Sequence, residues 1–583
     1  TSGIYKVIAL RKEAIAYAST PPLTRFSESL NWARISDEYG HESRLDAHHS
    51  CINLLPQLAA FDLDLKSRRQ ILTRTNITSV ASDSAACAIS LGKNDVAVEF
   101  LEASRSIFWA QALQLRAPLE HLEKVDRSLA DELREISREL EQGSFRDTSY
   151  NTDSISQQHI MSIEAVGVRC RHLQEKWTET VEAVRNMRGF EDFLRPKGIA
   201  SLKQAAQSGP VVILFAAHST ASALIVTASD DVQYVPLPRT NRPAVARYAE
   251  IIQQLSKHSR VNLNTFIEKR AVENESDSTS WFDVRSRLVG RRENSKMVNF
   301  DEFLNTLLGI LWTDVVEPVF HFLKIQKSAQ PSRLWWCPTG PFAFLPIHAA
   351  GKYDQDPTDF ASQYVISSYT PTLTTLLNTP THTTASFKMT VAIQPEAPGC
   401  SPLPGTKVEL DKITRHVPTT WLTALHRPTG KQVLRQLAKS SVAHFACHGV
   451  QDASEPLHSG LMLSDGRLTV LEIMKEDDRD TDSRKKACPS PFSALARPQQ
   501  EIGPRRTRSS VVATMWTIQD LDGPKVADGF YEHLFKQCAA NFTPPILPEL
   551  KKSAEALHLA VDKLQREPGM SLQRWVPFVH YGL

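Results

Sequence analysis

The sequence predicts two regions of different class: an all-α region over 1–200, then an α/β region over 201–583 built on a mostly parallel sheet. Three observations predict it. From Ser27 to about Arg195 apolar residues recur every three or four positions and glycine is rare, which is the period of helices. After Ser208 short β-branched runs bounded by polar turns begin, the mark of strands. Further on, strand-like and helix-like segments alternate, as in a doubly wound sheet.

In the helical region, Trp32, Ile35 and Tyr39 stand at offsets 0, 3 and 7 and are followed by Ala47, Leu54 and Pro56. That is close to the first-helix and closing-proline pattern of a tetratricopeptide repeat. A second helical pair runs from Ala85 through Gly92, Ala97 and Leu101 to Trp109. Gly40 and Gly92 are 52 residues apart, against about 34 for a regular repeat. The expectation is therefore a degenerate array, serving either as a peptide-binding surface or as a helical bundle that packs on the next domain. Segments 122–140 and 177–193 continue the helices to a boundary at Pro196.

In the α/β region, 211–215, 223–226 and 232–235 read as strands, and 273–294, charged and serine-rich, as a surface loop. A long apolar helix follows over 303–325. Then come a strand at 389–393, a helix at 407–416, a strand at 419–425, a helix at 431–439 and a strand at 442–446.

Composition narrows the function classes. The chain has 583 residues, 41% apolar and 23% charged, with 67 Lys+Arg against 65 Asp+Glu. A net charge of +2 offers no concentrated basic face, so no nucleic-acid partner is expected. The most apolar stretch, 211–228, is broken at its centre by His218, Ser219, Thr220 and Ser222, and reads as two buried strands; no membrane partner is expected. The eight cysteines are never closer than 36 residues, which argues against a zinc knuckle or a redox pair. Sparse cysteine without a leader pattern leads us to expect a cytoplasmic protein with no cofactor and no metal.

The sharpest local feature is His444-Phe445-Ala446-Cys447-His448-Gly449. The apolar run 442–446 is a buried strand, so His448 falls at its carboxyl end, where doubly wound sheets gather their chemistry, and Gly449 supplies a tight exit. His444 and His448 do not read as a metal pair, because the segment is a strand and lacks the Glu of a His-Glu-x-x-His helix. Cys447 reads as a buried apolar thiol. Thr429-Gly430-Lys431-Gln432 lacks the upstream Gly and the Ser/Thr of a phosphate loop, and no Gly-x-Ser-x-Gly elbow is present. Asp520 and Asp522, before Pro524, read as turn and helix-start residues, with an acidic substrate pocket as the alternative.

The block 444–449, with His458-Ser459-Gly460-Leu461-Met462-Leu463-Ser464-Asp465-Gly466 and Leu471-Glu472-Ile473, resembles the CHAT domain, a caspase-like cysteine peptidase domain of the separase and caspase clan. Arg333-Leu334-Trp335-Trp336-Cys337-Pro338 and Leu345-Pro346-Ile347-His348 resemble its amino-terminal part; Val512-Ala513-Thr514-Met515-Trp516 and Trp575-Val576-Pro577-Phe578 resemble its end. Ser106-Ile107-Phe108-Trp109 and Gly189-Phe190-Glu191-Asp192-Phe193 are similar to the helical arm that precedes CHAT in fungal proteins. The resemblance implies an α/β/α caspase-like domain over 201–583 after a TPR-like arm over 1–200. It also implies a cysteine endopeptidase acting on a protein or peptide, with His448 as general base and the Gly449 amide at the oxyanion.

In that family the nucleophile follows an apolar strand. Here the only cysteine in the interval is Cys488, 40 residues after His448. From Glu476 to Ser510, 14 of 35 residues are charged and seven are apolar, and no apolar strand can be drawn before Cys488. Either this atypical segment, 476–510, is a loop, or it is the product of a misread exon boundary or local frameshift. Two functions therefore stay open: a peptidase with His448 and Cys488, or a catalytically silent CHAT protein that acts as an interaction scaffold through its helical arm.

Overall fold

The computed structural model of the chain describes residues 2–17, 20–58, 71, 75, 77–105, 115, 119–144, 157–256, 260–262, 297–354, 358–377, 387–452, 455–476, 492–496, 510–538 and 546–583. It divides into two compact units, Thr1–Leu202 and Lys203–Leu583.

The first unit is helical: α1 (Ser2–Ala16), α2 (Pro22–Glu38), α3 (Arg44–Leu58), α4 (Ile77–Ser90), α5 (Asn94–Ser104), α6 (Glu120–Val125), α7 (Arg127–Ser144) and α8 (Gln157–Arg185). Helices α2 and α3 form one packed pair, α4 and α5 another, and α3 also packs on α4. Both pairs turn at the glycines marked by the sequence. Gly40 and Gly92 have φ of 59° and 70°. The next amide in each case reaches back to close the helix: His41 N–H donates to Ser36 O (2.8 Å) and Lys93 N–H to Ala88 O (2.9 Å). A residue with a Cβ would be strained there, so the two turns are locally equivalent despite their irregular spacing. Farther on, Leu133, Val181, Val184 and Phe190 form a small core between α7 and α8.

The second unit is built on an eleven-stranded sheet. In chain order its strands and those of an adjoining hairpin are β1 (Val211–Ala216), β2 (Ala221–Val226), β3 (Gln233–Leu237), β4 (Ser332–Pro338), β5 (Val365–Tyr369), β6 (Met389–Ile393), β7 (Leu422–His426), β8 (Val442–Ala446), β9 (Gly449–Val450), β10 (Gly460–Leu463), β11 (Gly466–Thr469), β12 (Phe492–Ala496), β13 (Ser510–Thr514) and β14 (Phe578–Gly582). The large sheet runs β7-β6-β8-β12-β13-β14-β5-β4-β1-β2-β3, while β9, β10 and β11 form a separate antiparallel sheet. Only β13–β14, β1–β2 and β2–β3 pair antiparallel; the other neighbours are parallel. The mostly parallel sheet expected from the alternation is present. Stretch 211–228 folds into β1 and β2, antiparallel and fully buried, which accounts for its hydropathy.

The longer helices described in this unit are α9 (Arg242–Leu255), α10 (Phe300–Leu311), α11 (Glu317–Leu323), α12 (Gly405–His416), α13 (Gly430–Leu437), α14 (Val470–Glu476), α15 (Asp522–Phe535) and α16 (Ser553–Gln565). They cover both faces. Along β6 and β8, Met389, Val391, Ile393, Val442 and Ala446 pack with Leu410 and Ile413 of α12 and Val526 and Phe530 of α15. The alternate residues, Ala392, Ala443 and Phe445, pack with Val433 of α13. Side chains alternate across a strand, so a strand covered on both faces is mostly apolar, and its polar exceptions, Thr390 and His444, are hydrogen-bonded; this is why the bounds of β6 and β8 are legible in the sequence.

Two element starts in this unit lie three residues from expectation, more than any other there. The helix expected over 303–325 starts at Phe300, because Asn299 and Glu302 form a reciprocal capping box, and a π-turn at Trp312–Val316 interrupts it before Lys324 ends it at φ 55°. Among the described residues this helical run, Phe300–Leu323, is the one long and apolar enough to cross a bilayer; half of it is buried against the sheet. The strand expected from Thr419 begins at Leu422, after a 3₁₀ turn over Thr419–Trp421. The charged stretch 273–294 and Trp109 lie outside the described residues.

Candidate active site

Strand β8 delivers two histidines to different environments. His444 is fully buried at mid-strand. Its Nε2–H donates to Glu409 Oε1 of α12 (3.0 Å), and its Nδ1 faces the Tyr531 hydroxyl of α15 (3.1 Å). Burial, and secondarily the Glu409 charge, push the Tyr531 phenol well above its ordinary value, so the phenol keeps its proton and donates it to Nδ1. This chain of bonds ties β8 to two helices inside the core and satisfies three polar groups that would otherwise be costly to bury.

His448 lies two residues past the carboxyl end of β8 and is half-buried. Its Nε2 is 2.7 Å from the carbonyl oxygen of Ser401, in the loop that leaves β6. A carbonyl can only accept, so Nε2 carries a proton, and in the neutral imidazole the lone pair is on Nδ1. Sequence reasoning missed Ser401, since a main-chain carbonyl leaves no trace in residue type.

Gly449 is not among the glycines with positive φ; it opens β9, and the tight exit expected there is replaced by an extended one. The reason is the hairpin that follows: Met462 N–H donates to His448 O (2.8 Å), and Gly449 stands opposite Leu461. In an antiparallel ladder hydrogen-bonded and non-hydrogen-bonded pairs alternate, so the Gly449 N–H turns away from β10. Cys447 is buried with Val433, Leu461, Leu463 and Leu468.

A cavity of about 30 Å³ lies at the carboxyl ends of β8 and β13, lined among others by Ala446, Glu409, Thr514 and Asp520. It has room for about one or two waters, not a side chain. The Thr514 hydroxyl is buried there and has no hydrogen-bond partner among the described residues. Asp520 accepts the Gly405 N–H (2.6 Å), and so caps α12 from a distant part of the chain. Asp522, with no exposed surface, is gripped at both oxygens by Arg574, at 2.6 and 2.9 Å. Neither carboxylate caps the helix it precedes or opens: α15 has no side-chain cap, Asp520 serves α12, and Asp522, the first residue of α15, pairs with Arg574 instead.

Cys488 lies outside the described residues. What the structure adds is the strand that the charged segment seemed unable to supply. Phe492–Ala496 forms β12, between β8 and β13 and parallel to both, with Val442 opposite Phe492 and His444 opposite Ala494. The segment 476–510 is therefore not simply a loop. Its signal was the uncharged run from Ala487 to Ala496, whose apolar part follows Cys488 instead of preceding it. The parallel register pairs Val442, Ala443 and His444 with Phe492, Ser493 and Ala494, so the chain enters β12 at the amino end of β8, and His448 lies past the opposite end.

Comparison with known proteins bears on this arrangement. The family model of the CHAT domain matches residues 302–482. This stretch is similar to a CHAT domain. The CHAT-like stretch takes in β8, His448, Gly449 and the β9–β11 hairpin, and stops before Cys488 and β12. No curated protein matches the chain. Two crystal structures of the Saccharomyces cerevisiae separase–securin complex match over most of its length. The one at 2.6 Å resolution has 11% identity and a TM-score of 0.35, over 96% of this chain and 44% of that one. The one at 3.0 Å has 10% identity and a TM-score of 0.37, over 100% and 49%. The chain thus spans less than half the length of either.

Proposed function

We propose that the second unit is a caspase-like cysteine peptidase domain acting on a protein or peptide in the cytoplasm, with His448 as general base, the Gly449 amide at the oxyanion and Cys488 as nucleophile. The observation that carries this reading is the 2.7 Å bond from His448 Nε2–H to Ser401 O. It orients the imidazole and leaves Nδ1 as the basic nitrogen, the arrangement in which a third group positions the base. Nδ1 takes the thiol proton, the thiolate attacks the scissile carbonyl, and the developing oxyanion is held by main-chain N–H groups. The proton then passes from His448 to the leaving amine, and water hydrolyses the thioester. The CHAT-like match supports the His448 half of this machinery.

A second reading rests on the register of β12. Cys488 precedes Phe492, where β12 starts opposite Val442 at the amino end of parallel β8, while His448 follows the carboxyl end; this favours a silent domain that works as an interaction scaffold through a TPR-like helical arm. Treating the full chain with a cysteine-directed electrophile and locating adducts by mass spectrometry separates the two. Under the peptidase reading Cys488 is modified about tenfold or more faster in wild type than in His448→Ala. It also outpaces half-buried Cys538, whose thiol burial pushes up to about 11. Labelling of Cys488 at the same rate in both proteins would leave the scaffold. Sequencing the transcript across codons 470–515 decides whether the segment is the one the cell translates.

A further inference from the structure

We infer that the first unit holds a zinc ion between α2, α3 and α4, on Asp37, His48 and Cys87. The oxygen, nitrogen and sulfur atoms these residues offer all lie within 4.8 Å of one another. Around tetrahedral zinc, bonds of roughly 2.0–2.3 Å put ligands about 3.3–3.6 Å apart, so the site closes by side-chain shifts of about 1 Å. One sulfur, one imidazole and one carboxylate is a borderline donor set that suits zinc and is wrong for calcium or magnesium, which take oxygen. No spacing rule finds it, because the ligands are 11 and 39 residues apart on three helices.

Three features of the surroundings fit an ion. First, charge balances: Zn²⁺ with the Asp37 carboxylate and a Cys87 thiolate sums to zero, so filling the site buries no net charge. Burial, and then the Asp37 charge, push the Cys87 thiol up to about 12, with Arg44 offsetting only part of this, so the thiol keeps its proton until a cation takes its place. Second, His48 has a partner behind it. Its Nε2 faces Asp37 Oδ2 (2.9 Å) and its Nδ1 faces the Ser84 hydroxyl (2.9 Å), both His48 and Ser84 being buried. A hydroxyl donates or accepts, so when Nε2 gives its lone pair to the metal, Nδ1–H donates to Ser84, the usual second contact of a metal-bound histidine. Third, access is built in: His48 and Cys87 are buried, while the Asp37 side chain is 42% exposed, which leaves an entry path and a fourth position for water. Binding is Zn²⁺ plus the Cys87 thiol giving a Zn–S bond and one proton released to solvent.

The test uses the full chain, stripped with chelator and titrated with Co²⁺ and then Zn²⁺. One Co²⁺ per chain should bind with release of one proton, the visible bands of tetrahedral cobalt and a thiolate-to-cobalt charge-transfer band, and zinc should then displace it and bleach the bands with no further proton release. Cys87→Ser keeps a small polar side chain in place and should abolish the charge-transfer band. Asp37→Asn, at the exposed mouth, should keep the band with affinity reduced about tenfold or more. No thiolate band in wild type, or a band that survives Cys87→Ser, overturns the site.

Discussion

Replacing Arg574 by methionine tests how the loop between β13 and α15 is held. The Asp522 carboxylate has no exposed surface and sits at the first residue of α15; Arg574 binds its two oxygens at 2.6 and 2.9 Å, with 23% of its own side chain exposed. The Asp522 partner holds the Arg574 guanidinium above its ordinary value, a sign that the charged pair is favoured in place. Arg574→Met keeps most of the side-chain volume but leaves a carboxylate unpaired in the interior. Losing two hydrogen bonds to charged groups, at about 1.5–3 kcal/mol each, gives roughly 3–6 kcal/mol. Breaking a buried pair costs about 3–5 kcal/mol. Because Arg574 is partly wet, the lower end applies: about 3 kcal/mol, roughly a hundredfold in the unfolding equilibrium. Urea unfolding followed by tryptophan fluorescence measures it. Arg574→Lys, which retains charge without the fork, should cost about half as much, and Asp522→Asn combined with Arg574→Met less than the sum of the single changes. A loss under about 0.5 kcal/mol for Arg574→Met would show that the pair does not anchor this loop.

Two further predictions concern the same unit. Burial holds the His348 imidazole down at about 4, between the Tyr369 hydroxyl and the Val576 carbonyl, and lowers His580 well below its ordinary value. With a depressed folded-state value the unfolded chain takes the proton first, so this stability is complete above about pH 6.5 and drains as pH falls to about 4, by about 3 kcal/mol for His348. Unfolding free energies between about pH 7.5 and 5 should fall less steeply in His348→Gln than in wild type; equal slopes would contradict a neutral buried His348. At the start of α12, a Cβ on Gly405 would lie 2.4 Å from Asp520 O and 2.7 Å from its Oδ2. Gly405→Ala should therefore destabilise by about 1–3 kcal/mol. Relief of glycine's helical entropy alone would stabilise by up to about 1 kcal/mol, so the sign of the change in urea decides whether the contact is real.

Much of the fold was legible because local physics dictates it. Strands β6 and β8 are buried on both faces and read as apolar runs interrupted only by Thr390 and His444; Gly40 and Gly92 mark the ends of helices that require left-handed backbone. The site was legible only in part. The strand-end position of His448 is legible because it follows a buried strand and stands beside a glycine, a placement a sequence records. Strand β12 is hard to read because its five residues, which fill the gap between β8 and β13, come after Cys488 and lie between two charged stretches.

By itself the sequence determined the two-part architecture, the mostly parallel sheet and the strand-end position of His448, because periodicity and turn residues act over neighbours in the chain. Tertiary structure alone decided what those residues face. It set the Ser401 carbonyl against His448, Glu409 and Tyr531 around His444, Arg574 on Asp522, and Asp37, His48 and Cys87 within reach of a single ion. These partners lie from 11 to 87 residues apart, and their energies depend on distance and burial, quantities that exist only once the helices and strands have packed.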